Sequence, residues 1–482
     1  MNPKRNIYIM TGKCACLLCH IPAWAHAAAG VPQKPNIIVF VADDAGMDFG
    51  CYGNRNIHTP NIDKMAAGGL RFDRAFLTAP QSSPSRISMM TGMFAHTTGT
   101  EDLHSPLDGD TRMIPSFLHE AGYRTGVILK RHWGENGDRQ FDRIDNGREW
   151  YGKEPLAASN PALSRYRDFI GANREQPFFL WVGFTDPHRP YSAQDNVRQN
   201  DPDRVTVAPY HVDNPSTRRD IADYYDEISR MDRHIGLMTD ELEKLHLLEN
   251  TVIIFLSDNG MPFPRAKGTL YDAGIQTPLI VSWKGKIKAG GVHRNGLISL
   301  IDLAPTLLDL AGTSAPQNMY GKSFAPLLHD PALRGRDHIH AERNWHNCDE
   351  YMRCIRTEKY KLIYNAYYTL PHGTATDLST SPTWYALKKA QKEGTLSKAQ
   401  QTIFAAPRPM IELYDLENDS LELNNVADEQ AYREEGKKLV SLLLQWQEET
   451  GDHPWWKRRR PDQSDRITGF PVFPQRPEAW DD

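Results

Sequence analysis

Residues 36–44 read NIIVFVADD, a continuous apolar run that ends in two aspartates. Three more apolar runs occur at residues 125–129, 178–182 and 252–256. Continuous rather than alternating hydrophobicity is typical of parallel strands in a sheet that is covered on both faces. The four runs therefore predict an α/β fold, with a parallel sheet between layers of helices.

Helical periodicity is found between and after these runs. Apolar residues recur at helical spacing from Ile221 to Leu242, which predicts a helix over about 217–247. A second pattern of this kind predicts a helix over about 299–311. Both apolar stripes indicate packing against the core rather than a binding surface.

The pattern changes after about residue 335. Short strands are predicted at 359–364 and 411–415, and a helix is predicted near 427–449. We therefore expect a larger domain over 31–335 and a smaller C-terminal α+β domain with an antiparallel sheet over 336–482.

The composition excludes several classes of protein. Of the 482 residues, 40% are hydrophobic and 24% are charged, as in ordinary globular proteins, which excludes a disordered, collagen-like or coiled-coil chain. The net charge of −5 lacks the basic excess of general nucleic-acid binders. No apolar stretch reaches the ~20 residues that span a bilayer as a helix.

Residues 1–30 have the pattern of an export signal. Basic residues precede a short apolar run, and the sequence AHA at 25–27 offers a small-x-small cleavage site. We therefore predict a signal peptide and a periplasmic or secreted protein, the alternative being a plain N-terminal extension. Three cysteines remain beyond this segment, of which Cys348 and Cys354 either form a disulfide or stay thiols.

Polar side chains follow each of the four predicted strands. In α/β sheets, ligands bind beyond the carboxyl ends of the strands, so these side chains are expected to meet at one edge. The set is Asp43, Asp44, Lys130, His132, Asp186, His188, Asp258 and Asn259. One acidic pair would indicate no more than a helix cap, but four clusters at four strand ends indicate a functional site.

The oxygen donors of this set predict a metal site. Asp43, Asp44, Asp258 and Asn259 offer only oxygen ligands, and three carboxylates in a small site repel one another unless a cation is present. Oxygen-only ligation favours Ca²⁺ or Mg²⁺. Zinc bound by the histidines of the set is a weaker alternative, because no pair of them has typical ligand spacing.

The segment 82–86 reads SSPSR and is followed by ISMMTG. Ser83 is predicted to cap a helix that has Pro84 in its first turn. The N-terminus of such a helix offers free backbone N–H groups to an anion such as sulfate or phosphate, and Arg86 adds a fixed cation. The plainer interpretation is a capped helix below a serine-rich loop.

These motifs, in this order, resemble those of the formylglycine-dependent (type I) sulfatases. The matching segments are SSPSR at 82–86, TG at 91–92, GYRT at 122–125, DPH at 186–188 and SDNG at 257–260. Within the family, the chain is most similar to the heparan N-sulfatase (sulfamidase) subfamily. The resemblance implies a catalytic domain with a large mixed, mostly parallel sheet sandwiched by helices, the alkaline-phosphatase-like sulfatase fold.

The resemblance also implies which residues form the site. Ser82 stands where animal sulfatases have cysteine, which implies oxidation to formylglycine by a serine-type maturation enzyme. The implied ligands of a divalent cation, Ca²⁺ or else Mg²⁺, are Asp43, Asp44, Ser82, Asp258 and Asn259. The implied catalytic residues are Ser82, Arg86, Lys130, His132, His188 and Lys267. Among these, His188 would protonate the leaving group and His132 would take a proton from the nucleophile.

Three further residues are candidate contacts to a sugar. His104 follows the SSPSR motif, and Glu342 and His346 open the second domain at a predicted strand end. Pockets often form where two domains meet, so these side chains are placed to read the substrate. For His104, the alternative is a solvated position in a loop.

The implied activity is removal of sulfate from a sulfated glycan. N-sulfoglucosamine of heparan type is one substrate, and an O-sulfated sugar is the alternative because Lys267 stands where sulfamidases have arginine. Related architectures also hydrolyse phosphoesters and phosphonates, so that reaction class stays open at this point. A glycan-binding protein without activity is the third interpretation, and the full set of polar residues argues against it.

Overall fold

The fold is built on three sheets, in a computed structural model that describes residues 34–145, 160–191 and 198–452. In chain order the strands are β1 (Asn36–Ala42), β2 (Leu70–Phe72), β3 (Ala75–Phe76), β4 (Arg124–Leu129), β5 (Arg143–Asp145), β6 (Phe178–Gly183), β7 (Thr251–Ser257), β8 (Leu279–Ser282), β9 (Gly291–His293), β10 (Ile298–Ser299), β11 (His338–Trp345), β12 (Asp349–Thr357), β13 (Tyr360–Asn365) and β14 (Ile411–Asp415). The predicted signal peptide and the tail beyond Asp452 lie outside the described residues.

The helices alternate with the strands over the first two thirds of the chain. They are α1 (Pro60–Ala67), α2 (Ser82–Thr91), α3 (Ile114–Glu120), α4 (Glu135–Asp138), α5 (Pro161–Ala172), α6 (Pro215–Lys244), α7 (Asp272–Ile275), α8 (Leu303–Leu310), α9 (Ala325–His329), α10 (Pro382–Glu393), α11 (Lys398–Gln401) and α12 (Arg433–Thr450). Among the described residues, no helix is both long enough and apolar enough to cross a membrane.

The largest sheet has eight strands in the order β5-β4-β6-β1-β7-β8-β2-β9. The pairs from β5 to β7 and the pair β2–β9 are parallel, whereas β8 runs antiparallel to both of its neighbours. The sheet is therefore mixed and mostly parallel, as predicted. The strand β1 lies between β6 and β7, so its carboxyl end lies beside theirs.

Alternate residues of β1 pack into two different cores. Ile37 and Val39 belong to a core formed with α2, α3 and α8, and Ile38 and Phe40 belong to a core formed with α1, α5 and α6. Because successive strand side chains point to opposite faces, a continuous apolar run is what a sheet covered on both sides requires.

The helix α6, predicted over about 217–247, begins two residues earlier, at Pro215. The side chain of Asn214 accepts a hydrogen bond from the backbone N–H of Thr217, and Pro215 occupies the first turn. This combination satisfies one free backbone donor and presets the backbone angle of the first helical residue. The helix predicted over 299–311 consists of a 3₁₀ turn (Leu300–Asp302) that continues into α8.

The C-terminal region contains a separate antiparallel sheet in the order β11-β12-β13-β14. One face packs on α12 through Leu439, Leu443 and Trp446. The other face packs on residues that precede it in the chain, among them Leu270 and Ile275. The predicted antiparallel sheet is confirmed, whereas the boundary at residue 335 stays a prediction. Cys348 and Cys354 do not form a disulfide.

Gly183, at the end of β6, allows the segments that carry Lys130 and Arg86 to approach its backbone closely. A Cβ atom on Gly183 would lie 2.1 Å from the carbonyl oxygen of Lys130 and 3.0 Å from a guanidinium nitrogen of Arg86. Real Cβ atoms do not come so close to backbone, so a side chain here would displace Lys130.

We predict that Gly183→Ala destabilises the protein by about 1–3 kcal/mol through overpacking and displaces Lys130. The matched control is Gly171→Ala in α5, where no atom lies within 4 Å of the added carbon and where alanine should stabilise the helix by about 0.5–1 kcal/mol. Thermal unfolding of both variants measures the difference. Equal unfolding temperatures for the two variants would contradict the prediction.

Candidate active site

Three buried carboxylates meet at the carboxyl ends of β1 and β7. Asp43 and Asp44 follow β1, Asp258 follows β7, and none of the three is exposed to solvent. One oxygen of each lies within 4.8 Å of an oxygen of the other two. The backbone N–H of Asp44 donates to Asp258 Oδ1 at 3.0 Å, which connects the two strand ends directly.

Asp44 adopts a backbone conformation that non-glycine residues seldom adopt. Its φ is 72°, in the left-handed region. The side-chain amide of Asn259 donates to Asp44 Oδ1 at 2.7 Å. Strained backbone of this kind is concentrated at functional sites, where the surrounding structure maintains it.

Each of the three carboxylates has a side-chain cation beside it. Lys130 Nζ lies 2.6 Å from Asp43 Oδ1, and Lys267 Nζ lies 2.6 Å from Asp44 Oδ2. Arg86 forms the third pair, with its Nε 2.7 Å from Asp258 Oδ2. The predicted counter-charge is a metal ion, whereas the chain supplies three cations of its own.

These contacts shift the carboxyl pKa values in opposite directions. Burial acts to raise the pKa of Asp43, but Lys130 and other nearby cations hold it well below the usual range. Burial raises the pKa of Asp258 in spite of Arg86, and the charge of Asp43 acts in the same direction. The cluster therefore still favours additional positive charge at Asp258.

Ser82 lies at the start of α2, directed toward the carboxylates. Its hydroxyl donates to Asp43 Oδ1 at 3.3 Å and lies 3.2 Å from Asn259 Oδ1. Every residue of α2 is buried, so the position of Ser82 is fixed by packing along the whole helix. Arg86 lies one turn later on the same helix and contacts Asp258, as described above.

The predicted capping role of Ser83 is wrong. The helix begins one residue earlier, at Ser82, with Gln81 at the N-cap position. The hydroxyl of Ser83 accepts a hydrogen bond from the backbone N–H of His104 at 2.8 Å instead. Ser83 thus attaches the loop that carries His104 to the start of the helix, a long-range contact that local sequence does not reveal.

The donor set fits a hard divalent cation. The oxygens of Asp43, Asp44 and Asp258 converge, with the hydroxyl of Ser82 and the amide of Asn259 beside them. Calcium and magnesium prefer such oxygen ligands. The zinc alternative is not supported, because no cluster among the described residues joins His132 to His188.

His132 and His104 form a pair of rings near Lys130. His104 Nδ1 lies 2.6 Å from His132 Nε2. Burial and the neighbouring Lys130 lower the pKa of His132 to about 2, and the same two causes lower the pKa of His104. Both rings are therefore neutral near pH 7, and a neutral imidazole can accept a proton.

His188 lies on the other side of the carboxylates. Its Nδ1 faces the carbonyl oxygen of Arg189, which only accepts hydrogen bonds, so Nδ1 carries the hydrogen there. Its Nε2 lies 3.8 Å from Asp44 Oδ2 and 3.8 Å from Asp377 Oδ2. A hydrogen on Nε2 would point toward these two carboxylates and toward the centre of the site.

Asp377 is a site residue that the sequence analysis missed. It follows β13 in an irregular segment and accepts a hydrogen bond from Lys267 Nζ at 2.7 Å. No motif or periodicity surrounds it, so only the folded contact reveals it. His346 lies in the same neighbourhood. Burial and the charge of Lys267 lower the pKa of His346 to about 3, while the charge of Asp377 acts to raise it.

The structure does not bring Glu342 to the carboxylates. One of its oxygens lies 2.9 Å from His96 Nδ1, and the other accepts from the Asn344 side chain at 2.9 Å. Arg353 lies 3.9 Å away and forms a buried ion pair with Asp452 at 2.6 Å. Glu342 therefore belongs to a buried network that joins β11 to His96 and Arg353, and its contact with a sugar stays a prediction.

Comparison with known proteins agrees with this geometry. A family model described as "Sulfatase" matches residues 35–313, more than half of the chain. This chain belongs to the sulfatase family. A second model, "N-sulphoglucosamine sulphohydrolase, C-terminal", matches residues 265–403.

Two curated relatives and one solved structure illustrate the similarity of this sulfatase. The human protein named N-sulphoglucosamine sulphohydrolase is 31% identical over 465 residues, which cover 87% of this chain and 91% of that protein. An ulvan-active sulfatase of Formosa agariphila is 28% identical, covering 88% and 76%. A structure solved with its substrate D-glucosamine-2-N,6-O-disulfate superposes with a TM-score of 0.63 at 21% identity, covering 87% and 99%. The alkaline-phosphatase-like sulfatase fold is thereby confirmed.

The buried ion pair of Arg353 and Asp452 yields a prediction on stability. Burial acts to raise the pKa of Asp452, but Arg353 lowers it to about 2, below the value of about 3.9 in an unfolded chain. The pair therefore stabilises fully above about pH 5, and this contribution is lost as the pH falls through about 4 toward 2.

We predict that Asp452→Asn lowers the free energy of unfolding at pH 7 by about 2–3 kcal/mol, with a smaller difference from wild type near pH 3. Urea unfolding at several pH values measures this difference. The matched control is Asp337→Asn, which removes a surface ion pair with Arg334 and should leave stability nearly unchanged. A difference that does not vary with pH would contradict the assignment.

Proposed function

We propose that this sulfatase removes sulfate from a sulfated glycan through a formylglycine formed from Ser82. The observation that supports this most strongly is the position of Ser82. Its hydroxyl lies within 3.3 Å of Asp43 and Asn259, at the start of a fully buried helix and beside three carboxylates with their cations. A serine whose only role was to cap a helix would not require three carboxylates and three cations beside it.

Oxidation of Ser82 would supply the nucleophile, since a hydrated formylglycine carries two hydroxyl groups on one carbon and can release sulfate without an external water. Asp43 and Asn259 orient this position through the contacts already described. Arg86 adds positive charge one turn along α2, which favours the deprotonated nucleophile.

A divalent cation, Ca²⁺ or else Mg²⁺, would be held by Asp43, Asp44, Asp258, Asn259 and the residue at position 82, and would act there as a Lewis acid. Lys130 and Lys267 lie on the borders of this group, each within 2.6 Å of one carboxylate. Their ammonium groups are placed to stabilise the negative charge that sulfate brings and that increases in the transition state.

Two imidazoles are placed for opposite proton transfers. His188, between Asp44 and Asp377, donates the proton of Nε2 to the leaving atom as the bond to sulfur breaks. His132 lies beside Lys130 and His104, and accepts a proton from the residue at position 82. Because the two rings have different electrostatic surroundings, one fold can hold an acid and a base at the same pH.

The relatives support a glucosamine-containing substrate. The curated human relative is named for N-sulphoglucosamine, and the superposed structure binds a glucosamine with N- and O-sulfate groups. We therefore propose N-sulfoglucosamine in a heparan-type glycan as the substrate. An O-sulfated sugar is the second candidate, because relatives named N-acetylgalactosamine-6-sulfatase are 30% identical over about two thirds of this chain.

We further propose that the protein is exported and that a serine-type maturation enzyme oxidises Ser82. The first proposal rests on the basic, apolar and small-x-small pattern of residues 1–30. The second rests on serine at the position of the oxidised residue. His104 and His346 border the site and are candidate sugar contacts, and both rings are neutral near pH 7.

We predict that Ser82→Ala lowers sulfate release by about a thousandfold or more, because removal of a nucleophile eliminates the covalent route. Mass spectrometry of the wild-type peptide should show the loss of two hydrogen atoms at position 82. The matched control is Ser88→Ala, a buried serine of the same helix without a hydrogen-bond partner for its hydroxyl, which should keep activity. Full activity of Ser82→Ala would contradict the proposed function.

A further inference from the structure

Asp377 contacts the site from the C-terminal part of the chain and takes no direct part in bond formation or proton transfer in the steps above. Its carboxylate accepts from Lys267 Nζ at 2.7 Å and lies 3.8 Å from His188 Nε2. Oxygens of Asp44 and Asp377 and the His188 nitrogen all lie within 4.8 Å of one another. Asp377 is thus a fourth carboxylate at a site that must bind an anion.

This arrangement does not form a second metal site. Lys267 Nζ lies 2.6 Å from Asp44 and 2.7 Å from Asp377, so its ammonium group bridges the two carboxylates where a metal ion would have to lie. Asp44 also belongs to the oxygen cluster around Ser82. The carboxylate of Asp377 is therefore available for a different task.

Asp377 lies on the side of the site that is open to solvent. Its side chain is 18% exposed and that of His188 is 27% exposed, whereas Lys267 is 3% exposed and Asp44 is fully buried. A sulfate bound between the lysines and the carboxylates would direct the rest of its sugar toward this exposed side, where His188 and Asp377 lie. In that orientation the atom that leaves sulfur would lie next to both of them.

The chemistry of that leaving atom differs between the two kinds of sulfated sugar. The nitrogen of a sulfamate carries a hydrogen, whereas the bridging oxygen of a sulfate ester carries none. An ionised carboxylate only accepts hydrogen bonds, so it attracts an N–H group and repels an ester oxygen. Burial acts to raise the pKa of Asp377, but Lys267 and its hydrogen bond lower it, so the carboxylate is ionised.

We propose that Asp377 accepts a hydrogen bond from the N–H of a sulfamate and thereby selects N-sulfated over O-sulfated glucosamine. This inference rests on the proposed sulfatase function. As the new S–O bond forms at position 82, the S–N bond breaks and its electron pair stays on nitrogen. His188 Nε2 then gives its proton to that nitrogen, and the resulting amine keeps one N–H directed at Asp377.

The test compares two leaving groups in one protein. The substrates are glucosamine N-sulfate and 4-nitrophenyl sulfate, because a nitrophenolate leaves without a proton and offers no N–H. Asp377→Asn should lower kcat/KM for the N-sulfate by about 10- to 100-fold, since a hydrogen bond to a charged group is lost. The aryl sulfate should lose less activity than the N-sulfate, because it loses only what Asp377 contributes through Lys267 and His188. The ratio of the two kcat/KM values, N-sulfate over aryl sulfate, should therefore fall, and Asp377→Ala should show the same contrast.

Each outcome separates the selective role from a structural one. If Asp377 only positioned Lys267, both substrates would lose activity in parallel, and that result would overturn the proposal. Wild-type turnover of aryl or O-sulfates with none of the N-sulfate would overturn it as well, while the sulfatase function would stand. If the wild-type protein carried formylglycine but showed no sulfatase activity on any of these substrates, that result would instead contradict the proposed function. Asp337→Asn, a surface aspartate paired with Arg334, serves as the matched control and should leave both rates unchanged.

Discussion

The burial of three carboxylates at adjacent strand ends is the constraint on which the rest of the structure depends. Removing a charge from water costs several kcal/mol even after relaxation, so Asp43, Asp44 and Asp258 require positive partners at short range. The fold supplies them from three separate places: α2, the segment after β4 and the segment before α7. The sheet order that places β1 between β6 and β7 is what makes this convergence possible.

The C-terminal sheet contributes to the same constraint by holding the segment that carries Lys267. Arg343 of β11 donates to the backbone carbonyl of Gly268, next to Lys267. Lys361 of β13 is fully buried and contacts Glu422 at 2.7 Å, while Arg356 of β12 contacts Asp272 at 2.9 Å. The contacts of Arg343 and Arg356 hold the segment that carries Lys267 at Gly268 and at Asp272. The second sheet therefore supports the position of Lys267 at the candidate site.

Much of the fold follows from the sequence because its strands are fully buried. A strand covered on both faces must be apolar along its buried length, so 37–42 and 252–256 are visible as continuous runs within β1 and β7. That the polar residues at the strand ends lie at one edge follows from the geometry of α/β sheets. The resemblance to sulfatases is what placed Ser82 and Lys267 in the predicted site. The wrong cap at Ser83, the internal position of Glu342 and the missed Asp377 have one cause. Each depends on a partner far away in the chain, namely His104, His96 and Lys267.

The central claim is that the three carboxylates hold one divalent cation together with the chain's own cations. A crystal structure of the protein grown with Ca²⁺ tests it most directly. The account predicts an ion with oxygens of Asp43, Asp44 and Asp258 at about 2.3–2.6 Å, and with Lys130 and Lys267 moved away from the metal-bound oxygens. Density without an ion, with both lysines still hydrogen-bonded to Asp43 and Asp44, would contradict it.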